Sequence, residues 1–368
     1  MHPHAYAAKH LSALLCGSVL STSCLAALLP LNDGEMSAIS GQALLTMDAL
    51  TYGGFQFTRV NLGAEIDLLT NIEELRMGDF DRTGLPGLAS TQPADILINN
   101  FALGRVRNAN TANANIEAFK ILDPYLEFAF KNNAQGVREV AGLRLGFGRS
   151  QGHLSGDIIS LTGTMEGKIH GPASIATDFY KEQHGLTDFT CVFNLDCFAL
   201  SLAGDTDVYA QVELLQNGTG FTTIDGVKIN RATHIGVPAG ASLQTDETGL
   251  VASLIPSLTK AADCSALGLI TCFPIANYKT IYVGDPTKSN IREGGAQGIF
   301  FSVQNQNIPW QDLANAGKFV ETQRGAHANF AKTGSGANTV YPFLLNLYEA
   351  LRGTAREPTC MGAQGVGC

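Results

Sequence analysis

The sequence predicts a mainly β protein: an antiparallel sandwich or an elongated, solenoid-like sheet, with a few short helices in the C-terminal third. Three observations carry that expectation. Charged residues make up 15% of the chain, well under the roughly 25% of an average soluble protein. Glycine is abundant, at 40 of 368 residues, and a surface rich in Gly, Asn, Ser and Thr suits strands joined by tight turns. Apolar and polar residues also alternate, with turn residues recurring about every eight to ten positions, the spacing of short strands.

Taken in order, "FQFTRVNLGAEIDL" and "ILINNFALGRV" read as strands, separated by the loop-like "GDFDRTGLPGLASTQPAD". "RNANTANAN" reads as a turn. In "PYLEFAFKNN", Tyr125, Glu127 and Ala129 alternate with Leu126, Phe128 and Phe130, the pattern of a strand with two different faces. "VREVAGLRLGFG", "HLSGDIISLTGTMEGKIHG", "CFALSLAGDTDVYAQVELLQ" and "FTTIDGVKINRATHIGV" continue in the same style. Helices are expected at 247–260, within 310–331 from near Trp310, and at 342–352, where Pro342 opens and Gly353 closes the segment. Pro256 weakens the first of these. Leu250, Val251, Leu254, Ile255 and Leu258 share one face and are expected to look into the core. The expected domains are a leader at 1–26, a β-rich body at 27–240 and a mixed subregion at 241–368 holding two disulfides.

The leader is read from Lys9, an apolar run from Leu11 to Leu20, and small residues before Ala26, the order of a secretory signal. Lipidation at Cys24 is disfavoured, because Ser21 stands where a branched apolar residue is wanted. No later stretch offers around 18 uninterrupted apolar residues, so no transmembrane helix is expected in the mature chain. The cysteines agree with export. Six of the eight form three close pairs, Cys191 with Cys197, Cys264 with Cys272, and Cys360 with Cys368, read as disulfides. Each closes a small loop, worth about 2–3 kcal/mol in the chain-entropy picture. Zinc is the rival reading, but its sites use tighter spacings with histidine nearby, and no histidine lies inside these loops.

Candidate chemistry is sparse. "GRSQG" places Ser150 in a Gly-x-Ser-x-Gly pattern, which marks a hydrolase nucleophile when a strand precedes it and a helix follows. Here a strand-like segment follows, so a glycine hairpin is the expected alternative. Asp205 or Asp225 with His234 or His327 would be needed to complete a triad. His153, His170, His184, His234 and His327 are scattered, without the spacing of a metal hydrolase. Asp79 and Asp81 faintly resemble a calcium loop but lack its central Gly and closing Glu; Asp205 and Asp207 are weaker still. No phosphate loop or dinucleotide fingerprint is present, and no cofactor is expected. The net charge of −9 with no basic run makes nucleic acid and anionic membranes poor partners. Aromatic residues, at 8%, lack the girdle spacing of an outer-membrane barrel.

"LNDGEMSAISGQALL" resembles a short element found just after the signal peptide in many exported proteins of Gram-negative bacteria. Its pattern, acidic-x-x-apolar-x-x-[VI]-[ST]-Gly-Gln, falls on Asp33, Met36, Ile39, Ser40, Gly41 and Gln42. The segment "YPFLLNLYEALRGTAREPTCMG" is similar to the ends of some of them. They form a family of unknown function, so the resemblance implies an exported, surface-associated protein and carries over no catalytic residue. The expectation is a non-enzymatic structural, adhesive or assembly protein of the periplasm, outer-membrane surface or exterior. Other envelope proteins or further copies of itself are its expected partners. The alternatives are a secreted serine hydrolase using Ser150, or a binding module for an apolar ligand lined by the 247–260 and 342–352 stripes.

Overall fold

The computed structural model describes residues 45–79, 92–215, 229–262 and 264–360, all within one compact unit, Ala43–Cys368. The leader, the Asp33–Gln42 element, Asp81, Asp225 and Cys368 lie outside the described residues. Among those described, 51% are strand and 16% helix, in a large antiparallel sheet that closes no barrel. The mainly β expectation therefore holds.

The first nine strands are β1 (Leu45–Tyr52), β2 (Phe55–Leu62), β3 (Glu65–Leu68), β4 (Thr70–Met77), β5 (Ile96–Leu103), β6 (Arg105–Arg107), β7 (Asn115–Glu117), β8 (Phe119–Asn132) and β9 (Arg138–Pro172). Helices α1 (Ser174–His184), α2 (Asp188–Cys191) and α3 (Leu195–Ser201) follow. Next come β10 (Asp207–Leu215), β11 (Ile229–Ala232), β12 (His234–Gly236) and α4 (Leu250–Leu258). Short strands β13 (Ser265–Ala266), β14 (Leu269–Ile270), β15 (Cys272–Pro274) and β16 (Thr280–Val283) precede α5 (Ile291–Gly294). The rest comprises β17 (Ala296–Gln297), β18 (Phe300–Gln304), β19 (Ile308–Gln311), β20 (Phe319–Thr322), β21 (Gly325–Phe330), β22 (Leu344–Asn346) and α6 (Leu347–Arg352).

One strand organises everything. β9 runs unbroken for 35 residues, and β5, β8, β10, β11, β16, β17, β18, β21 and β22 all pair with it. The sheet also coils back on itself. β18 pairs with β9 at Gly142–Gly146, β21 pairs with β18, and β21 then pairs in parallel with β9 again at Gly163–Met165. Strands from both sides of residue 240 thus share one sheet.

The glycines of β9, expected to mark turns, instead make room for rings brought by distant segments. A Cβ at Gly146 would lie 2.2 Å from Tyr125 Oη, and one at Gly167 2.1 Å from the ring of Phe343. A missing side chain is here a seat for an aromatic one, which restores the packing a glycine forfeits in a strand.

Alternation in β8 sorts its faces as expected. Tyr125, Glu127 and Ala129 are buried, while Leu126, Phe128 and Phe130 are not. The inward face meets a small core of Phe55, Phe57, Ala141, Phe300, Ile308 and Trp310. Within it the Arg144 guanidinium pairs with the Glu127 carboxylate, both side chains almost wholly buried. The larger core lies between the curled sheet and the helices.

Three expectations about helices are corrected. Helices α1–α3 fall in the middle of the chain, not the C-terminal third, and "CFALS" is helical, not strand. Local capping decides this: Asn194 Oδ1 accepts the Cys197 N–H, Thr187 and Thr190 cap α2 reciprocally, and Gly185 ends α1 in the left-handed conformation. Residues 310–331 form no helix; they supply the β19–β20 hairpin and β21, with Trp310 fully buried. The last helix starts at Leu347, because Asn346 and Glu349 build a capping box and Leu344–Asn346 joins the sheet as β22. The 247–260 expectation stands as α4, with Pro256 inside it.

Candidate functional site

Ser150 sits within β9, paired with Ile121 of β8 on one side and Ala296 of β17 on the other. Its pattern marks neither a nucleophile turn nor a hairpin. The residue is 0% exposed, and among the described residues its Oγ has no hydrogen-bond partner. A nucleophile must reach substrate and a base, and this serine reaches neither. His234 directs Nδ1 toward Thr233 Oγ1 at 2.8 Å. His327 is buried beside the ring of Phe300, and His184 packs on Tyr180. Asp205 is exposed on a turn, and Asp207 begins β10. Asp79 is exposed and pairs with Arg76 at 3.8 Å. Among the described residues no three His, Cys, Asp or Glu side chains gather where a metal could be held.

Two surfaces do gather chemistry. The first is the helical end. The Cys191–Cys197 disulfide joins the end of α2 to the first turn of α3. The short loop it closes holds Val192, Phe193 and Leu195, and a loop this small cannot fold back over its own side chains. Phe189 and Phe193 are each 75% exposed, Val192 59% and Leu195 86%. Helix α4 adds Leu250, 79% exposed, with Leu254 and Leu258 half-exposed. Its apolar stripe was expected to face the core, yet only Ala252 and Ile255 of the helix are buried. Isolated exposed apolar residues are ordinary; a cluster of this size on one end of a molecule is not.

Beneath this cluster lie two adjoining apolar cavities of about 40 and 50 Å³. They share Ala176, Leu200, Leu243 and Thr259 as walls. Leu347 and Leu351 line the first, and Leu254, Ile255 and Leu258 the second. The 247–260 and 342–352 stripes, far apart in sequence, thus meet around neighbouring voids. The Cys264–Cys272 disulfide ties β15 to the residue before β13 on the same side. Cys360 is also disulfide-bonded.

The second surface is an open cleft of about 1240 Å³, lined among others by His153, Thr280, Tyr282, Tyr348, Arg352 and Glu357. The curl of β9 creates it, since His153 and His170 from one strand both reach it. β16 brings Tyr282 opposite His153, with the rings 4.9 Å apart and nearly perpendicular. Burial, and then the positive charge of Arg105, push the His153 imidazole down to about 4. Arg105 is held between Glu117 and Glu357.

His153 therefore links stability to pH. The unfolded ring takes a proton near 6.5 and the folded one only near about 4. Below pH 6.5 the unfolded chain binds more protons, so the stability His153 contributes is present above that pH and is lost as pH falls toward 4. Urea midpoints measured from pH 7 to pH 4 should fall for the native chain and fall less for His153→Gln. Equal slopes would show that other groups set the acid limb.

Of the residues singled out in sequence, Cys191, Cys197, Cys264 and Cys272 and the two C-terminal stripes converge on the helical end, whereas Cys360 lies beside Asn71. Ser150, Asp79, His184, His234 and His327 do not assemble, while His153 and His170 both reach the cleft. Phe189, Phe193 and Leu195 were not anticipated, although apolar residues inside a close cysteine pair are a legible signal for exposure. Nothing in the sequence pairs His153 with Tyr282; only the register of β16 on β9 does.

Fold and site together define a curled antiparallel-sheet protein with an apolar helical end and an open cleft along its longest strand. Comparisons with protein-family models, curated proteins and solved structures found no match.

Proposed function

We propose that this chain is an exported, non-enzymatic protein of the cell envelope that works by contact, seating its helical end in lipid hydrocarbon. The exposed Phe189–Leu195 cluster, clamped by a disulfide, is the observation that carries the reading. Neither 189–195 nor 249–258 contains a charged residue, so no charge within them must be desolvated on insertion. Phe189, Phe193, Leu195 and Leu250 are each at least 75% exposed, which suits a soft apolar phase better than a shaped protein partner. The cavities below are too small for a whole lipid chain, since one water already claims about 30 Å³. They supply slack beneath the helices; the hydrocarbon comes from a surface. Two disulfides accord with an oxidising compartment. The signal-like leader and the resemblance at Asp33–Gln42 support export. Among the described residues no helix is long and apolar enough to cross a membrane, which leaves insertion of side chains into one leaflet.

Flotation of the mature protein with uncharged-surface vesicles of phosphatidylcholine and phosphatidylethanolamine tests this. Each inserted large apolar side chain is worth about 1.5–3 kcal/mol when fully buried. The triple variant Phe189→Ser, Phe193→Ser, Leu195→Ser should therefore bind at least about tenfold more weakly, with its thermal midpoint unchanged. A native chain that stays unbound, or a variant that floats equally, defeats the reading.

A further inference from the structure

We propose that the β9 cleft is a binding site for an uncharged oligosaccharide. The inference is independent of the helical end and rests on what the cleft offers.

At about 1240 Å³ the space exceeds the roughly 300–1,000 Å³ of a pocket for one small molecule, and it is open, so it suits an extended chain of units. Two aromatic rings border it. Tyr348 is 55% exposed, and the Arg352 guanidinium lies over it at 4.6 Å. Arg352 also lies over Phe179 at 5.0 Å and pairs with Glu182. The ring is thereby held in place while still accessible. Tyr282 is fixed by the edge-on packing against His153. Sugar rings carry an apolar C–H face that packs against the electron-rich face of an aromatic ring.

The polar groups of the cleft exclude the main competitors. Arg352 is already paired with Glu182, and Glu357 with Arg105. Glu349 is committed to the Asn346 cap of α6. His153 is neutral at ordinary pH, so its ring offers one donor and one acceptor without a charge. His170 and Asp207 also line it. Among the described residues that line the cleft, Arg352 is the one arginine or lysine, and its carboxylate partner is Glu182. An acyl chain would have to lie against Asp207, Glu349, Arg352 and Glu357, which line the cleft, and desolvate them. The Thr280 and Thr354 hydroxyls already bond Ser155, the Glu357 N–H and the Thr280 backbone, so what remains for neutral sugar hydroxyls, each both donor and acceptor, is the uncharged His153 ring beside Tyr282 and Tyr348.

Saturation-transfer NMR and calorimetry on the mature protein with maltohexaose, chitohexaose and laminarihexaose provide the test. The expected result is saturation transfer to at least one of them, with a dissociation constant on the order of 0.1–1 mM. Tyr348→Ala should weaken that binding at least about tenfold while leaving the thermal midpoint unchanged, because the ring is mostly exposed. Tyr348→Phe, which keeps the ring face, should retain it. The Phe189→Ser, Phe193→Ser, Leu195→Ser variant should bind sugar normally, which separates this site from vesicle binding. Absence of transfer to all three sugars overturns the proposal, as does binding indifferent to Tyr348→Ala.

Discussion

Glu127→Ala is expected to lower the stability of the fold by about 3–5 kcal/mol, the usual consequence of stranding one member of a buried ion pair. Arg144 is 1% exposed and its guanidinium lies 5.0–5.2 Å from the ring centres of Tyr125, Phe300 and Trp310. Its Nε donates to Glu127, and among the described residues neither terminal nitrogen has a hydrogen-bond acceptor. Ring faces take that place, and they attract a cation without replacing a carboxylate. Arginine does not escape by losing its proton. Without Glu127, a full charge sits among aromatic rings with no counter-ion. The double variant Glu127→Leu, Arg144→Met should recover most of the loss, because an apolar pair of similar size requires no desolvation of charge. Urea denaturation of the three proteins measures both effects. A single variant within about 1 kcal/mol of the native chain would show that water already reaches the pair.

Gly163→Ala should be nearly as damaging, for a backbone reason. Gly163 is the point at which the coil of the sheet closes onto β21. Its φ is +146°, and an added Cβ would lie 1.9 Å from the carbonyl oxygen of Ala328. Neither the angle nor the contact can be relieved without parting β21 from β9. The expected loss is about 3 kcal/mol or more, with faster amide exchange at Ala328, Asn329 and Phe330 than at β8. Gly185→Ala is the control. Its φ of +62° is also left-handed, but nothing lies within 4 Å of the added atom, so only the conformational cost of about 1–2 kcal/mol applies. If the two variants lose stability equally, closure at Gly163 contributes nothing beyond backbone angle.

The legible parts of this fold were those decided locally. The alternation in β8 correctly divided Glu127 from Phe128, and the α4 stripe was visible from its spacing. The glycines of β9 were misleading because their explanation is non-local: Gly146 is filled by Tyr125 and Gly167 by Phe343. A period-two pattern with glycines reads as strand, turn, strand unless the covering rings are known. Trp310 is expected near the start of a helix, yet pairing with Val320 makes it strand. Helices α1–α3 were missed although Thr187, Gly185 and Asn194 are ordinary capping residues in their ordinary places. For the candidate sites, hydrophobicity was readable at Phe189, Phe193 and Leu195, but its direction was not. Direction followed from the disulfide. The cleft was beyond sequence reasoning altogether, since Tyr282 and Tyr348 come to it only through the pairing of β16 and β22 with β9.

The reliance of nine strands on β9 has a kinetic side. Chain preceding β9 supplies β5 and β8, and everything from β10 onward supplies its other neighbours. A growing or emerging polypeptide therefore passes through a stage in which the long strand is complete but lacks β18 and β21, its rows of N–H and C=O groups open to pairing with another molecule. Long-range pairing of this kind is slow, and unpaired edges during the delay are where chains associate wrongly. The last few strands act as a timer on that hazard, and the yield of native protein depends on how quickly β21 reaches Gly163.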